Sequence, residues 1–147
     1  RGRVPDGLRR AVTHGGAVMI FTPEHVQMII EGRKTQTRRV VKSGEELRQW
    51  DVDTPMVGRT YAVQPGRGKP AAARIRITGI RQERLRDISE DDVVAEGHNL
   101  VRWANEGPEG WPATAEFAEA WDRINTRKGT RWQDNPLVWV LDFEVVR

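Results

Sequence analysis

The chain contains no cysteine. Disulfides, thiolate nucleophiles, iron–sulfur clusters and cysteine-built zinc sites are thereby excluded. Histidine is scarce as well. His14, His25 and His98 are too scattered in the sequence to suggest a histidine-built metal site. No apolar run approaches the ~18 residues that a membrane-spanning helix needs, and no secretory apolar segment is visible near the first residue. The expectation is a cytoplasmic protein, away from membranes, with no cofactor and with a monomer as the default state. Hydrophobic residues make up 37% and charged residues 31% of 147 positions, which is polar for a globular chain but outside the range of disorder. The length suits a single domain of roughly 100–150 residues.

Lysine is the remaining scarcity. Of 24 basic residues only Lys34, Lys42, Lys69 and Lys128 are lysines, leaving 20 arginines against 21 acidic residues. Arginine does not titrate near pH 10, so a small net charge of +3 coexists with a pI of 9.8. Its planar fork suits bidentate contact with phosphates and base edges. The positive charge is concentrated at the front: residues 1–42 hold nine basic and three acidic side chains, and the remainder is net negative. A phosphate-bearing partner touching that end would account for this, and so would a flexible basic arm with no specific role. Residues 1–17, rich in Arg and Gly, are read as that arm, with Met19 a candidate natural start; the domain proper is expected over 18–147.

Within 18–147 the pattern predicts strand, helix, three strands, two helices and a final strand. Val18 to Phe21 is a short apolar run. Thr22-Pro23 supplies a helix cap and a first helical residue, and Gly32 the stop, which predicts a helix over 23–31. Residues 33–41 follow as a basic strand, and 43–54 as a polar loop. Val57 to Val63 and the alternating Ala71 to Ile80 read as strands around a turn at 64–70. Ser89 followed by three acids starts a helix that ends at Gly97. Phe117, Ala120, Trp121 and Ile124 repeat at helical spacing over about 113–125, and Leu137 to Val146 is a long apolar strand. The short connections disfavour a doubly wound parallel sheet. The predicted class is α+β: a mixed or antiparallel sheet curling into a small barrel, with short helices on its rim.

The densest chemistry lies in Gly32 to Arg39, with four cations, two hydroxyls and one amide in eight residues directly after a helix. It lacks the glycine spacing of a phosphate-binding Walker loop. A solvated basic edge strand and an anion or nucleotide site both fit the local text. Lys34 and Thr37 lie three apart, so a regular strand would send them to opposite faces; they converge only if the backbone after Gly32 is irregular. Six tryptophans are many for this length. Trp121 and Trp139 sit on periodic faces and are expected in the core. Trp103 and Trp111, in a Gly- and Pro-bearing stretch, are candidates for stacking on a base. Asn135-Pro136 is expected to fix entry into the last strand, with base recognition a further candidate role for Asn135.

The stretch FTPEHVQMIIEGRKTQTRR (21–39) resembles the opening signature of ASCH domains, members of the PUA-like superfamily. VGRTYAV (57–63), LRDISEDDVVAEG (85–97), Phe117 to Ile124 and WQDNPLVWV (132–140) continue the resemblance, which runs from about residue 18 to the end. The resemblance implies a PUA-like β-barrel with a cleft for a modified nucleoside or RNA. One bacterial branch of small ASCH proteins hydrolyses N4-acetylcytidine to cytidine and acetate with a lysine, a threonine and a glutamate. Carried over by motif, these are Lys34, Thr37 and Glu96, with Arg33, Gln36, Arg38, Arg39, Trp103 and Asn135 as candidate substrate-binding residues. A non-catalytic RNA-binding module and a ribonuclease using the same basic cleft are the alternatives. Two departures bear on the substrate: an insert at about 98–113, and Thr37-Arg38-Arg39 where the amidohydrolases usually carry an apolar residue between Thr and Arg. Thr37 as nucleophile and Lys34 as base is a plausible pair, provided the lysine pKa falls well below its ordinary ~10.4. Arg33, Arg38 and Arg39 could push it down. Glu96 would oppose them, which points it toward orientation, proton shuttling or contact with the cytosine edge.

Overall fold

The structure is a computed structural model that describes residues 17–42, 56–99 and 112–147. The expected arm up to residue 16, the loop over 43–54 and most of the insert, including Trp103 and Trp111, lie outside the described residues. The elements are β1 (Val18–Ile20), α1 (Pro23–Ile30), β2 (Gln36–Val40), β3 (Thr60–Gln64), β4 (Ala73–Arg84), α2 (Glu90–Ala95), α3 (Thr114–Ile124) and β5 (Leu137–Val145). Single 3-10 turns at Leu85–Asp87 and Trp132–Asp134 complete the order.

The helix signals act as the sequence indicates. Thr22 accepts a hydrogen bond from the His25 amide at 3.1 Å, with Pro23 as the first helical residue. Ser89 accepts from the Asp92 amide at 3.1 Å, and Glu90, Asp91 and Asp92 occupy the positive end of α2.

One five-stranded mixed sheet carries the fold, in the order β1-β3-β4-β5-β2. The β1–β3 pair is parallel and the others antiparallel. The α+β class and PUA-like character stand, but the expected closure into a barrel does not: the sheet remains open between β1 and β2. Among the described strands β1 pairs only with β3 and β2 only with β5, so neither end strand carries a second ladder. Instead of backbone pairing, the Arg39 side chain of β2 donates to the Ile20 carbonyl at the end of β1, at 2.9 Å.

Strand β5 explains where the core sits. Its apolar run has no polar face because both faces are covered. Trp139, Leu141 and Phe143 point to a cluster with Phe21, Val26, Ile29, Tyr61, Val63, Ile75 and Ile77. Val138 and Val140 point the other way, under α2 and α3, to Leu85, Ile88, Val93, Phe117 and Trp121. Strand β4 shows the complementary pattern, with Ile75 and Ile77 fully buried and Arg74 and Arg76 exposed. Its register with β5 shifts between Ile77 and Gly79. A Cβ at Gly79 would stand 3.0 Å from an Asp142 carboxylate oxygen, so the glycine leaves room for that side chain.

Leu141 is fully buried between these layers. Leu141→Ala is expected to cost about 2–5 kcal/mol in chemical denaturation. Val57→Ala, at a residue 63% exposed, is expected to stay within about 0.5 kcal/mol. Equal losses at the two positions would contradict this assignment of the core.

Candidate functional site

Gly32, at φ 81°, ends α1, and the chain then runs irregularly through Arg33, Lys34 and Thr35 before β2 begins at Gln36. The Arg33 and Lys34 amides both return to the Met28 carbonyl, at 2.9 and 3.1 Å. Thr35 bridges two elements: its amide donates to Ala95 in α2 and its carbonyl accepts from Phe143 in β5. The irregular backbone that convergence of Lys34 and Thr37 requires is therefore present, and both side chains line one cleft. Gly97, at φ 114°, brings the end of α2 against this segment. A Cβ there would lie 2.7 Å from Met28 Sδ.

The Lys34 side chain is 1% exposed. Its Nζ donates to the Gln36 carbonyl (2.9 Å), the Glu96 carbonyl (3.2 Å) and Glu96 Oε1 (2.9 Å). Three acceptors satisfy all three ammonium hydrogens. The second carboxylate oxygen of Glu96 accepts from Arg38 Nη1 at 3.0 Å. Arg38 is itself surrounded by acids and an amide: Glu83 at 2.8 Å, Asp92 at 3.0 Å and the Gln36 side-chain oxygen. Gln36 in turn donates to Asp142 (2.8 Å) and Asp92 (3.3 Å), and Arg81 closes the chain onto Asp92 at 2.6 Å.

Part of the cleft lining is apolar and aromatic. Phe117, Trp121 and Ile124 of α3 line it, with Ile20 and Phe21 beside them. Phe117 and Trp121 lie with ring centroids 6.0 Å apart, and Trp121 Nε1 is tied to the Thr130 carbonyl at 2.7 Å. The Arg39 guanidinium lies 4.7 Å from the Phe21 ring centre. His25 and His98 complete the lining, with His98 Nδ1 3.2 Å from Glu116 Oε1.

Burial, foremost, holds the Lys34 ammonium below its ordinary pKa. Glu96 opposes that shift, while Arg39 and Arg38 add to it. The Arg33 charge expected to help takes no part. His25 is pushed down to about 4, first by burial and then by the Lys34 charge. Burial acts to raise the Asp92 carboxyl, but hydrogen bonds from Gln36 and Arg38 and the charges of Arg38 and Arg81 hold it below its ordinary value.

Among the sequence-selected residues, Lys34, Thr37, Arg38, Arg39 and Glu96 converge on the cleft. Gln36 is buried beside them, its amide committed to neighbouring side chains. Arg33 is exposed and paired with Glu31 at 2.7 Å, away from the cleft lining. Asn135 also stands outside that lining. It adopts a left-handed turn at φ 48° and accepts from the Arg86 amide at 2.8 Å, so it fixes the entry to β5. Trp121 and Trp139 are buried as expected. The sequence reading passed over His25, His98 and the cleft role of Phe117 and Trp121. Helical spacing marks the two aromatics as buried, but not which of them face a cavity. Among the described residues, no cluster of three or more His, Asp or Glu side chains could hold a metal ion, and no helix is long and apolar enough to cross a membrane.

The chain belongs to the ASCH domain family, whose sequence profile matches residues 17–147. It is thus a PUA-like domain of a nucleic-acid-interacting class. A crystallised protein from Enterococcus faecalis has the same fold with a TM-score of 0.59 at 19% identity, over 88% of this chain and 80% of its own. An ASCH domain from Lactobacillus crispatus gives a TM-score of 0.54 at 18% identity, over 97% and 86%. At such identities the likeness is one of fold alone. No curated protein matches the chain.

His25 gives a test of the cleft's electrostatics. The unfolded chain binds its proton near pH 6.5 and the folded protein only near 4, so its contribution to stability is complete above 6.5 and is lost as pH falls toward 4. In Lys34→Met the His25 midpoint, read by NMR, is expected to climb from about 4 part of the way to 6.5. An unmoved midpoint would contradict the placement of the Lys34 charge beside His25.

Proposed function

We propose that this ASCH domain hydrolyses the N4-acyl amide of a modified cytidine, N4-acetylcytidine being the simplest case, releasing cytidine and acetate. The observation that carries this reading is the buried Lys34 amine, bonded to Glu96 and sharing a cleft with Thr37, Phe117 and Trp121. An amide needs a nucleophile, a base and a place for the planar heterocycle. The described cleft offers one of each.

In this mechanism Lys34 acts as the neutral amine, having first lost one of its three N–H protons to solvent. The loss is made feasible by burial, which disfavours the charged form. Thr37 Oγ1 then attacks the acyl carbon, and its proton passes to neutral Lys34 Nζ. The C–N4 bond breaks as Nζ returns that proton to N4, so cytidine leaves as the neutral amine. Water attacks the Thr37 ester and gives one proton to Lys34 Nζ; Nζ returns it to Thr37 Oγ1 as the C–O bond breaks, and the acetic acid that leaves gives its remaining proton to solvent to become acetate. Glu96 keeps Nζ aimed throughout. Phe117 and Trp121 form the face against which the base packs.

Lys34→Met and Thr37→Ala are each expected to lower kcat/KM by about 10²–10⁴-fold while the protein stays folded by circular dichroism. Release of cytidine followed by liquid chromatography is the direct assay. Full turnover in either variant, or none by the native protein, would overturn the reading.

The pH dependence carries its own sign. The base is the neutral amine, so kcat/KM rises with pH to a plateau. Because burial lowers the Lys34 pKa, the midpoint is expected below the ordinary ~10.4 of lysine. A rate that falls with rising pH through neutrality would contradict Lys34 as the base.

A second reading is binding of RNA without turnover. The exposed Arg74 and Arg76 on β4 favour it, as a free nucleoside presents no phosphate for them. Binding to several phosphates would weaken steeply with salt, whereas nucleoside turnover would scarcely respond.

A further inference from the structure

A buried carboxylate that faces a lysine ordinarily holds it charged. Glu96 faces Lys34 through Oε1 at 2.9 Å and Arg38 through Oε2 at 3.0 Å, so its charge is divided between two cations. The Arg38 side chain is fully buried, and its fork also reaches Glu83 and Asp92. From this geometry we infer that Arg38 is a positioning residue that sets the proton occupancy of Lys34 by competing with it for Glu96. Arg38 need not touch the substrate to do so. The consequence for reaction deepens the hydrolytic reading and rests on it; the effect on the Lys34 proton does not.

Two physical effects have the same sign. The guanidinium neutralises part of the Glu96 charge that would otherwise favour ammonium. As a permanent cation near Lys34, it also disfavours a second positive charge directly. The groups that bear on Lys34 are His25 from α1, Arg38 and Arg39 from β2, and Glu96 at the end of α2, while His98 beyond it lines the same cleft. Glu96 is the anion among them. Glu83 and Asp92 act one step further out: by drawing on Arg38 they limit how much of its charge reaches Glu96.

The test uses the full chain and no substrate. Only four lysines are present, so the Lys34 signal in protein with isotopically labelled lysine can be assigned by its loss in Lys34→Met. In Arg38→Gln, which keeps a hydrogen-bond donor and removes the charge, the Lys34 titration midpoint is expected to rise by about one to two pH units. Arg38→Lys restores the charge and is expected to bring the midpoint back toward the native value. That rescue separates charge from packing. Asp92→Asn, on a partly exposed residue, is expected to shift Lys34 downward, and decides the matter if Arg38→Gln fails to fold. An unmoved midpoint in folded Arg38→Gln, or no downward shift in Asp92→Asn, would overturn the inference. If the native protein hydrolyses N4-acetylcytidine, the midpoint of the rising limb of its rate profile moves to higher pH together with the Lys34 midpoint in Arg38→Gln. If it does not, the hydrolytic reading fails while the titration still decides the role of Arg38.

Discussion

Glu96 is a buried carboxylate held between two buried cations, Lys34 and Arg38. Removing three charges from solvent costs several kcal/mol per ion, and that cost is offset only where geometry and hydrogen bonding are complete. Much of the molecule meets that requirement. The irregular turn after α1 delivers the lysine, the left-handed Gly97 lets the end of α2 approach it, and Thr35 ties that end to β5. Gln36, Asp92, Asp142, Glu83 and Arg81 then complete the valences around Arg38. A single atom of the arrangement, Arg38 Nε, is buried without a partner. A network this complete favours one conformation, because a half-broken version leaves charges buried and unpaired.

The sheet supplies the rigidity that such a network needs. Alternate residues of β2 face different environments. Gln36 and Arg38 meet the acids near α2, whereas Thr37 pairs in register with Leu141; Arg38 and Thr37 both reach the cleft. One short strand thus carries both the arginine of the charge cluster and a candidate nucleophile. The open edge between β1 and β2 is bridged by Arg39, whose guanidinium also lies over Phe21. Ile20 and Ile124 of the cleft lining are 39% and 52% exposed.

Local chemistry made much of this legible in advance. Thr22-Pro23, Gly32, Ser89 with its three acids, and the alternation in β4 each specify one element within a few residues, and each stands near where it was read. The convergence of Lys34, Thr37 and Glu96 came from a motif resemblance, together with the geometric condition that the backbone be irregular. What stayed hidden depends on contacts between distant segments. Nothing local in Arg38 says that it will face Glu83, Asp92 and Glu96, 45 to 58 residues away, rather than solvent. Asn135 and Arg33 illustrate the opposite failure. Each has a side chain suited to a ligand, but one is used by a turn and the other by a neighbouring surface acid. Closure of the barrel was misjudged because strand order and curvature depend on packing across the sheet, and the length of β1 alone does not reveal it.

In the proposed reaction a planar base packs against Phe117 and Trp121 of α3 with its reacting edge toward Lys34 and Thr37. A crystal structure of the protein soaked with cytidine tests that placement most directly. The account predicts the ring against Phe117 and Trp121, with its N4 edge turned toward Lys34 and Thr37. A ring bound on the exposed Arg74–Arg76 face, or in the cleft with N4 pointing out to solvent, would contradict it.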